Sequence, residues 1–281
     1  GGADAIVGIW RAQLADPALD PAFVALALTP PSEMEIAQLL QSWDPETVHT
    51  ARETLLREAA RALQDELEQT YRRLADVTAA VDAEATAARA LKNAALAALA
   101  RLGPDVVEKL AWRQFEQAAT MTDVLAAMAA LDISHSEKFD NALDGFYGRW
   151  KGRPLALDKW FRVQAASPRA DTVERVRRLA AHARFDASNP NRVRALIGAF
   201  AMDNPVRFHA SDGAGYGFLA DWVLTIDRAN PALAARLLGA MESWARLEPG
   251  RKAQAKAALE RVKAGASSKN VIEIAGRSLA G

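Results

Sequence analysis

The side chains best placed to do chemistry lie in residues 189–222, and two of them are arginines at a helix start. Asn189 is a good N-cap and Pro190 suits the first helical position, so a helix is predicted to begin here. Arg192 and Arg194 then fall near its start, where the helix dipole disfavours cations. That arrangement costs roughly a few tenths of a kcal/mol unless an anion or carboxylate compensates. Arg192, Arg194, Arg207 and Arg236 could form a basic patch facing a cleft, or be solvated cations paired with Asp212 and Asp221. The run Asp212-Gly213-Ala214-Gly215-Tyr216 reads as a turn with two positions free to take positive φ. It resembles a phosphate loop only in its glycines, and no predicted strand precedes it. His209, beside Phe208 and this turn, is the histidine that stands out; His49, His135 and His182 read as surface or capping residues. No His-Glu-x-x-His, Gly-x-x-x-x-Gly-Lys or Gly-x-Ser-x-Gly motif occurs, so neither a metal site nor a catalytic nucleophile is expected. A second distinctive run, Asp158-Lys159-Trp160-Phe161, reads as a helix with its aromatics partly buried and its charges at the surface.

Bulk composition narrows the partners. The chain has 281 residues, half of them hydrophobic, ample for a core, and its formal net charge is zero. No global field would draw nucleic acid or an anionic membrane, so neither is expected as a partner. Cysteine is absent, which removes disulfides and thiolate metal sites. No apolar run reaches the length of about 18 residues that a membrane span needs. No signal peptide is visible, and Gly1-Gly2 reads as a remnant of expression.

Helices must position these residues. Alanine and leucine are abundant, and apolar residues recur at intervals of three and four. Over 51–74, Leu55, Leu56, Ala59, Leu63, Leu67, Thr70, Tyr71 and Leu74 trace one face of an amphipathic surface helix. The same pattern recurs over 84–102, 171–182 and 231–245. Seven prolines follow Asp, Ser or Asn, at Asp16, Asp20, Asp44, Ser167, Asn189, Asn204 and Asn230, and each pair signals a helix start. Thr120 with Asp123 forms a capping-box pattern, and Ser267 or Ser268 is expected to cap the last helix. These signals cut the chain into about a dozen helices with short connections, hence antiparallel neighbours. The fold class is all-α: an irregular superhelix, or solenoid, of antiparallel helix pairs, occupying 1–281 as a single domain. A compact irregular bundle is the alternative.

Several strings in one order resemble a known family. They are Asp16-Pro17 through Phe23, Leu28–Glu33, Asp44-Pro45 with Ala51-Arg52-Glu53, Ala88–Asn93, Gln114-Phe115 and Met121-Thr122-Asp123. Asp158–Phe161 with Gln164–Pro168, Asn189–Ala201, Phe208–Gly215, Asn230-Pro231 and Ala257–Glu260 complete the set. Together they resemble the C-terminal helical, ARM/HEAT-like domain of bacterial aminopeptidase N, in the M1 family of zinc metallopeptidases. Thr120, the run 132–138, Asn270 and Ile272 depart from the family pattern.

The resemblance implies that this chain is a non-catalytic part of a cytoplasmic enzyme that removes N-terminal residues from peptides. Zinc and its ligands would sit in the parent's catalytic domain, with no cofactor here and no activity from this chain alone. The chain would close the active-site chamber and govern peptide access, with the parent's catalytic and β domains and the peptide substrate as its partners. By motif position, Arg194 and Arg236 would project into the chamber and meet a peptide carboxylate or carbonyl, or pair with the catalytic domain. Arg192, Phe208, His209, Asp212 and Tyr216 would shape the same wall. The competing reading is a free-standing solenoid scaffold that binds a peptide or protein. A domain docked in a parent should also expose an apolar interface patch.

Overall fold

The computed structural model describes residues 2–76 and 79–280. In chain order the α-helices are α1 (Gly2–Ala15), α2 (Pro21–Ala27), α3 (Glu33–Gln38), α4 (Pro45–Ala62), α5 (Gln64–Arg73), α6 (Ala83–Ala100), α7 (Pro104–Gln117), α8 (Met121–Ile133) and α9 (Lys138–Trp150). They continue with α10 (Pro154–Ala165), α11 (Thr172–Ala180), α12 (Pro190–Val193), α13 (Ala199–Asp203), α14 (Pro205–Phe208), α15 (Ala214–Asp227), α16 (Pro231–Leu237), α17 (Pro249–Gly265) and α18 (Lys269–Ala280). A π-helical turn, Arg194–Gly198, joins α12 to α13, and 3₁₀ turns occupy Leu238–Met241 and Trp244–Arg246. Among the described residues there is no strand, only an isolated bridge between Trp43 and Leu247.

Helix starts follow side-chain chemistry. Asp20, Asp44, Asn189 and Asn230 each accept a backbone N–H from the first turn that follows, as their Pro partners predict. Thr120 accepts from the Asp123 N–H. Two of the seven expected starts fail. Asp16-Pro17 makes a tight turn, closed by the Ala18 N–H on Asp16 Oδ1. Ser167-Pro168 lies in an irregular connection that leads into a turn, and the carbonyls of Ser167 and Pro168 are taken by Asn204 and Arg207 instead of a helix. Asn204 does precede α14, but its amide is spent on the Ala165 and Ser167 carbonyls and does not cap. The expected single helix over 51–74 breaks at Leu63, whose φ of −124° and ψ of 20° leave the helical region.

The chain packs as two compact units, one of residues 1–32 and 50–149, the other of 33–49 and 150–281. The sequence reading expects a single domain over 1–281; the contacts divide into these two clusters. In the first unit α6 packs against α2, α5, α7 and α8. The expectation of a surface helix fails here, because small alanines on several faces (Ala85, Ala87, Ala95, Ala98) let neighbours approach from more than one side. Gly103, at φ 100°, turns the chain from α6 into α7.

In the second unit an aromatic core joins α13, α14 and α15. Phe200 meets Phe208 and Phe218 edge-on, and Phe208 meets Tyr216. His209 lies beneath this cluster, 2% exposed, with Nδ1 2.9 Å from Tyr216 Oη and the Trp43 ring centroid 5.4 Å away. The His209 carbonyl accepts from Arg251 Nε at 2.5 Å. Arg251, itself buried, also meets Asp44 at 3.0 Å, Glu46 at 3.0 Å and Glu248 at 3.1 Å. Of the two loop glycines, only Gly213 takes positive φ, at 71°. Gly215 is needed for a different reason: a Cβ there would lie 2.2 Å from the Phe208 carbonyl oxygen.

Two measurements check this packing. Gly215→Ala should lower unfolding stability by about 3 kcal/mol, because backbone cannot yield to the added methyl. Gly217→Ala, with nothing within 4 Å, should instead raise it by roughly 0.5–1 kcal/mol. Urea titrations of the two variants read both signs. The second concerns pH. Burial first, and the Arg251 charge second, push the His209 imidazole down to about 3. The unfolded chain, with an ordinary histidine, therefore binds the extra proton between about pH 6.5 and that value. Stability from this group is full above about pH 6.5 and is lost as pH falls, by on the order of 3 kcal/mol at about pH 4. His209→Gln should lose measurably less over the same range in chemical denaturation.

Candidate functional site

The arginines of 189–236 separate into buried and exposed ones. Arg192 is 5% exposed and committed to the fold. Its Nε donates to Asp158 Oδ1 at 2.5 Å, its Nη1 donates to the Arg184 carbonyl, and its guanidinium lies over the Phe161 ring at 5.0 Å. The carboxylate that offsets a cation at this helix start is thus Asp158, which is not the surface residue expected of it. Asp212 and Asp221, the acids named as partners for the patch, are engaged elsewhere. Asp212 caps the Ala214 N–H and Asp221 pairs with Arg261. Arg207 donates to the Pro168 carbonyl.

Of the four arginines considered for a basic patch, Arg194 and Arg236 are the exposed pair. Arg194 opens the π-helical turn, a local widening of the helix that recurs at functional positions. Its Nη1 donates to Asn191 Oδ1 at 2.9 Å. Gly198, which closes that turn, lies between Arg194 Cβ and Leu237 Cδ2, so the segment carrying Arg194 packs beside the residue next to Arg236. Among the described residues, no carboxylate forms an ion pair with either arginine. Both guanidiniums remain available to an anion or carbonyl from outside the unit. The elements that follow them, α13 and the 3₁₀ turn Leu238–Met241, border an open cavity of about 400 Å³. Met34, Met202, Glu242, Ser243 and Arg246 line it, above His209.

The remaining wall candidates divide in the same way. Phe208, His209 and Tyr216 are buried core residues, at 0%, 2% and 1% exposure, and Tyr216 has its phenol pushed up chiefly by burial. Asp212 is exposed. The other histidines are dispersed: His49 meets Glu33 at 2.6 Å and His182 stacks near Trp160 and Phe161. Among the described residues, no group of three or more His, Cys, Asp or Glu is placed to hold a metal. No described helix is long and apolar enough to cross a membrane.

A polar cluster in the first unit escaped the residue-by-residue reading. Lys92 and Asn93 on α6, Gln114 on α7 and Asp123 on α8 form one buried hydrogen-bonded group. Each lay within a string noted for its resemblance, but only the fold brings positions 92, 114 and 123 together.

Comparison with known proteins matches this geometry to a family. The family model described as "Domain of unknown function (DUF3458_C) ARM repeats" matches residues 2–280. Aminopeptidase N of Caulobacter vibrioides is 40% identical over 270 residues, covering 95% of this chain and 31% of its own length. Aminopeptidase N of Escherichia coli is 39% identical over 258 residues, covering 92% of this chain and 30% of its own length. Among solved structures, Legionella pneumophila aminopeptidase A in complex with aspartic acid superposes with a TM-score of 0.89 at 29% identity, over 98% of this chain and 33% of that one. The chain thus spans a little under a third of the length of the curated relatives it matches. The chain belongs to the DUF3458_C family of all-α ARM-repeat domains.

Proposed function

We propose that this chain is the non-catalytic C-terminal domain of a cytoplasmic M1 zinc aminopeptidase, where it closes the active-site chamber and governs peptide access. The observation that carries the reading is the lopsided match. Similarity to aminopeptidase N runs through 95% of this chain while using 31% of the relative's length. Hydrolysis then belongs to the remainder of the parent. In this reading zinc and its ligands belong to that remainder, and no chemical step is assigned to this chain. Its partners in this reading are the parent's catalytic and β domains and the peptide.

Arg194 and Arg236 are the residues proposed to meet the peptide. Both are exposed, both lack a carboxylate partner among the described residues, and the elements bearing them pack together. A guanidinium fork suits a terminal carboxylate or a row of peptide carbonyls. Asp212 is the one other exposed wall candidate. Arg192, Phe208, His209 and Tyr216 contribute from beneath, by fixing α12, α14 and α15 rather than by contact. Large apolar side chains left in solvent support a docked role. Phe23 and Leu26 on α2 are 51% and 72% exposed, and Leu39 is 86% exposed.

Replacing both arginines by alanine in the complete enzyme should raise KM for peptides by roughly tenfold, with kcat little changed, as expected when uniform binding is removed. A single-residue chromogenic substrate, too short to reach them, should show a smaller change. Equal kinetics for long and short substrates in variant and parent would contradict the assignment.

A further inference from the structure

The first two helices turn an apolar face to solvent. Along α1, Ala5, Gly8, Ile9 and Ala12 are exposed and fall at the three-and-four spacing of one helix face. Ile9 is 56% exposed, and a Cβ added at Gly8 would meet nothing within 4 Å. On α2, Phe23 and Leu26 lie three residues apart and so are neighbours on its surface, at 51% and 72% exposure. Trp10 Nε1 donates to the Ala27 carbonyl at 3.1 Å and pins the two helices together. Ile9 and Leu26 are the chain neighbours of the two bonded residues, so the exposed side chains of α1 and α2 belong to one region of the first unit. Single exposed apolar residues are ordinary, but a face built along two packed helices marks a contact site.

The charge around this face has one sign. Residues 1–32 hold three acids and a single cation, Arg11. Arg11 is spent on Glu66 at 3.1 Å and on the Ala62 carbonyl at 3.0 Å. Asp16 and Asp20, in the connection from α1 to α2, are exposed. Each accepts a local backbone N–H, from Ala18 and Ala22, and neither forms an ion pair among the described residues. The first unit as a whole carries nineteen Asp and Glu against thirteen Lys and Arg. An apolar face beside unpaired acids suits a partner that is apolar with lysine or arginine at its edge.

We propose that the α1–α2 face docks against the part of the parent enzyme outside these 281 residues, on an apolar surface edged with lysine or arginine. The relatives supply a body large enough to cover it. The match uses 31% of Caulobacter vibrioides aminopeptidase N and 33% of the Legionella pneumophila aminopeptidase A chain, so about two thirds of each lies outside the matched region. The proposal rests on the reading of this chain as one domain of an aminopeptidase, and adds which face is covered and by what chemistry. Leu39, although 86% exposed, belongs to the second unit and is no part of this face. Arg194 and Arg236 also belong to the second unit, so docking and peptide contact are separable by mutation.

Hydroxyl-radical footprinting of the 281-residue chain and of the complete enzyme tests it. Phe23 and Leu26 should label readily in the chain and at least about tenfold more slowly in the enzyme, where only the undocked fraction reacts. Leu26→Asp would bury an unpaired carboxylate in the docked face, so it should raise Phe23 labelling in the enzyme about tenfold. In the 281-residue chain position 26 faces water, and the same variant should leave the circular dichroism unchanged. Asp16→Asn with Asp20→Asn keeps an acceptor for each backbone N–H and removes the charge. That variant should raise Phe23 labelling in the enzyme about threefold at low salt, and by less at high salt. Equal labelling of Phe23 in chain and enzyme would overturn the inference; a raised KM in the arginine variants would then leave the chamber reading standing without it. No response to the double Asn variant would overturn the basic edge. Sedimentation should find the 281-residue chain monomeric, and a dimer dissolved by Leu26→Asp would make a second copy the occupant and overturn the inference as well.

Discussion

Burying the Arg251 guanidinium dictates how the second unit closes. A desolvated cation needs several partners at once, and this one takes carboxylates from Asp44, Glu46 and Glu248 and the carbonyl of His209. Those four residues belong to the start of α4, the end of α14 and the entry to α17. Once Arg251 holds the His209 carbonyl, the His209 ring lies under Tyr216 and Trp43, and Phe208 is carried into the aromatic core. The close approach of Gly215 to the Phe208 backbone follows from the same placement. Arg192 repeats the device on a smaller scale, tying the start of α12 to Asp158 on α10. That contact settles the position from which the π-helical turn departs, and with it the exposure of Arg194.

Much of this architecture could be read from residue order. Asn189-Pro190, Asn230-Pro231, Asp20-Pro21 and Asp44-Pro45 mark true helix starts because capping is local, needing only one oxygen and the next turn. Where a distant group competes, local signals fail. Ser167-Pro168 does not start a helix because Asn204 and Arg207, far along the chain, take the carbonyls of that connection. The faces were legible too. Leu233, Leu237, Leu238, Met241 and Trp244 are all buried, although the helix that would carry them ends at Leu237 and continues as 3₁₀ turns. Periodicity identifies the buried side of a segment, but the exact winding depends on what packs against it.

Site chemistry was less legible, for the same reason. Arginine type and helix position signalled an unusual charge at 192 and 194, but not which of the two would be buried. The partner of Arg192 is 34 residues away at Asp158. Nor could spacing reveal the Lys92–Gln114–Asp123 group, whose members lie on three helices. Buried hydrogen-bond networks are a tertiary property, and sequence shows only their scattered parts. The family match and the geometry divide the work accordingly. Similarity relates the chain to a portion of aminopeptidase N, and the structure separates arginines that hold the fold from arginines left free to act outside it.

The central claim is that this chain works by docking onto the rest of an aminopeptidase. The direct measurement mixes it with a separately produced, folded remainder of the parent enzyme that lacks this region, and follows both binding and hydrolysis of an alanyl reporter and of longer peptides. The account predicts stable association and a changed preference between short and long substrates. No association, with hydrolysis unaltered for every substrate length, would contradict it and leave a free-standing helical scaffold.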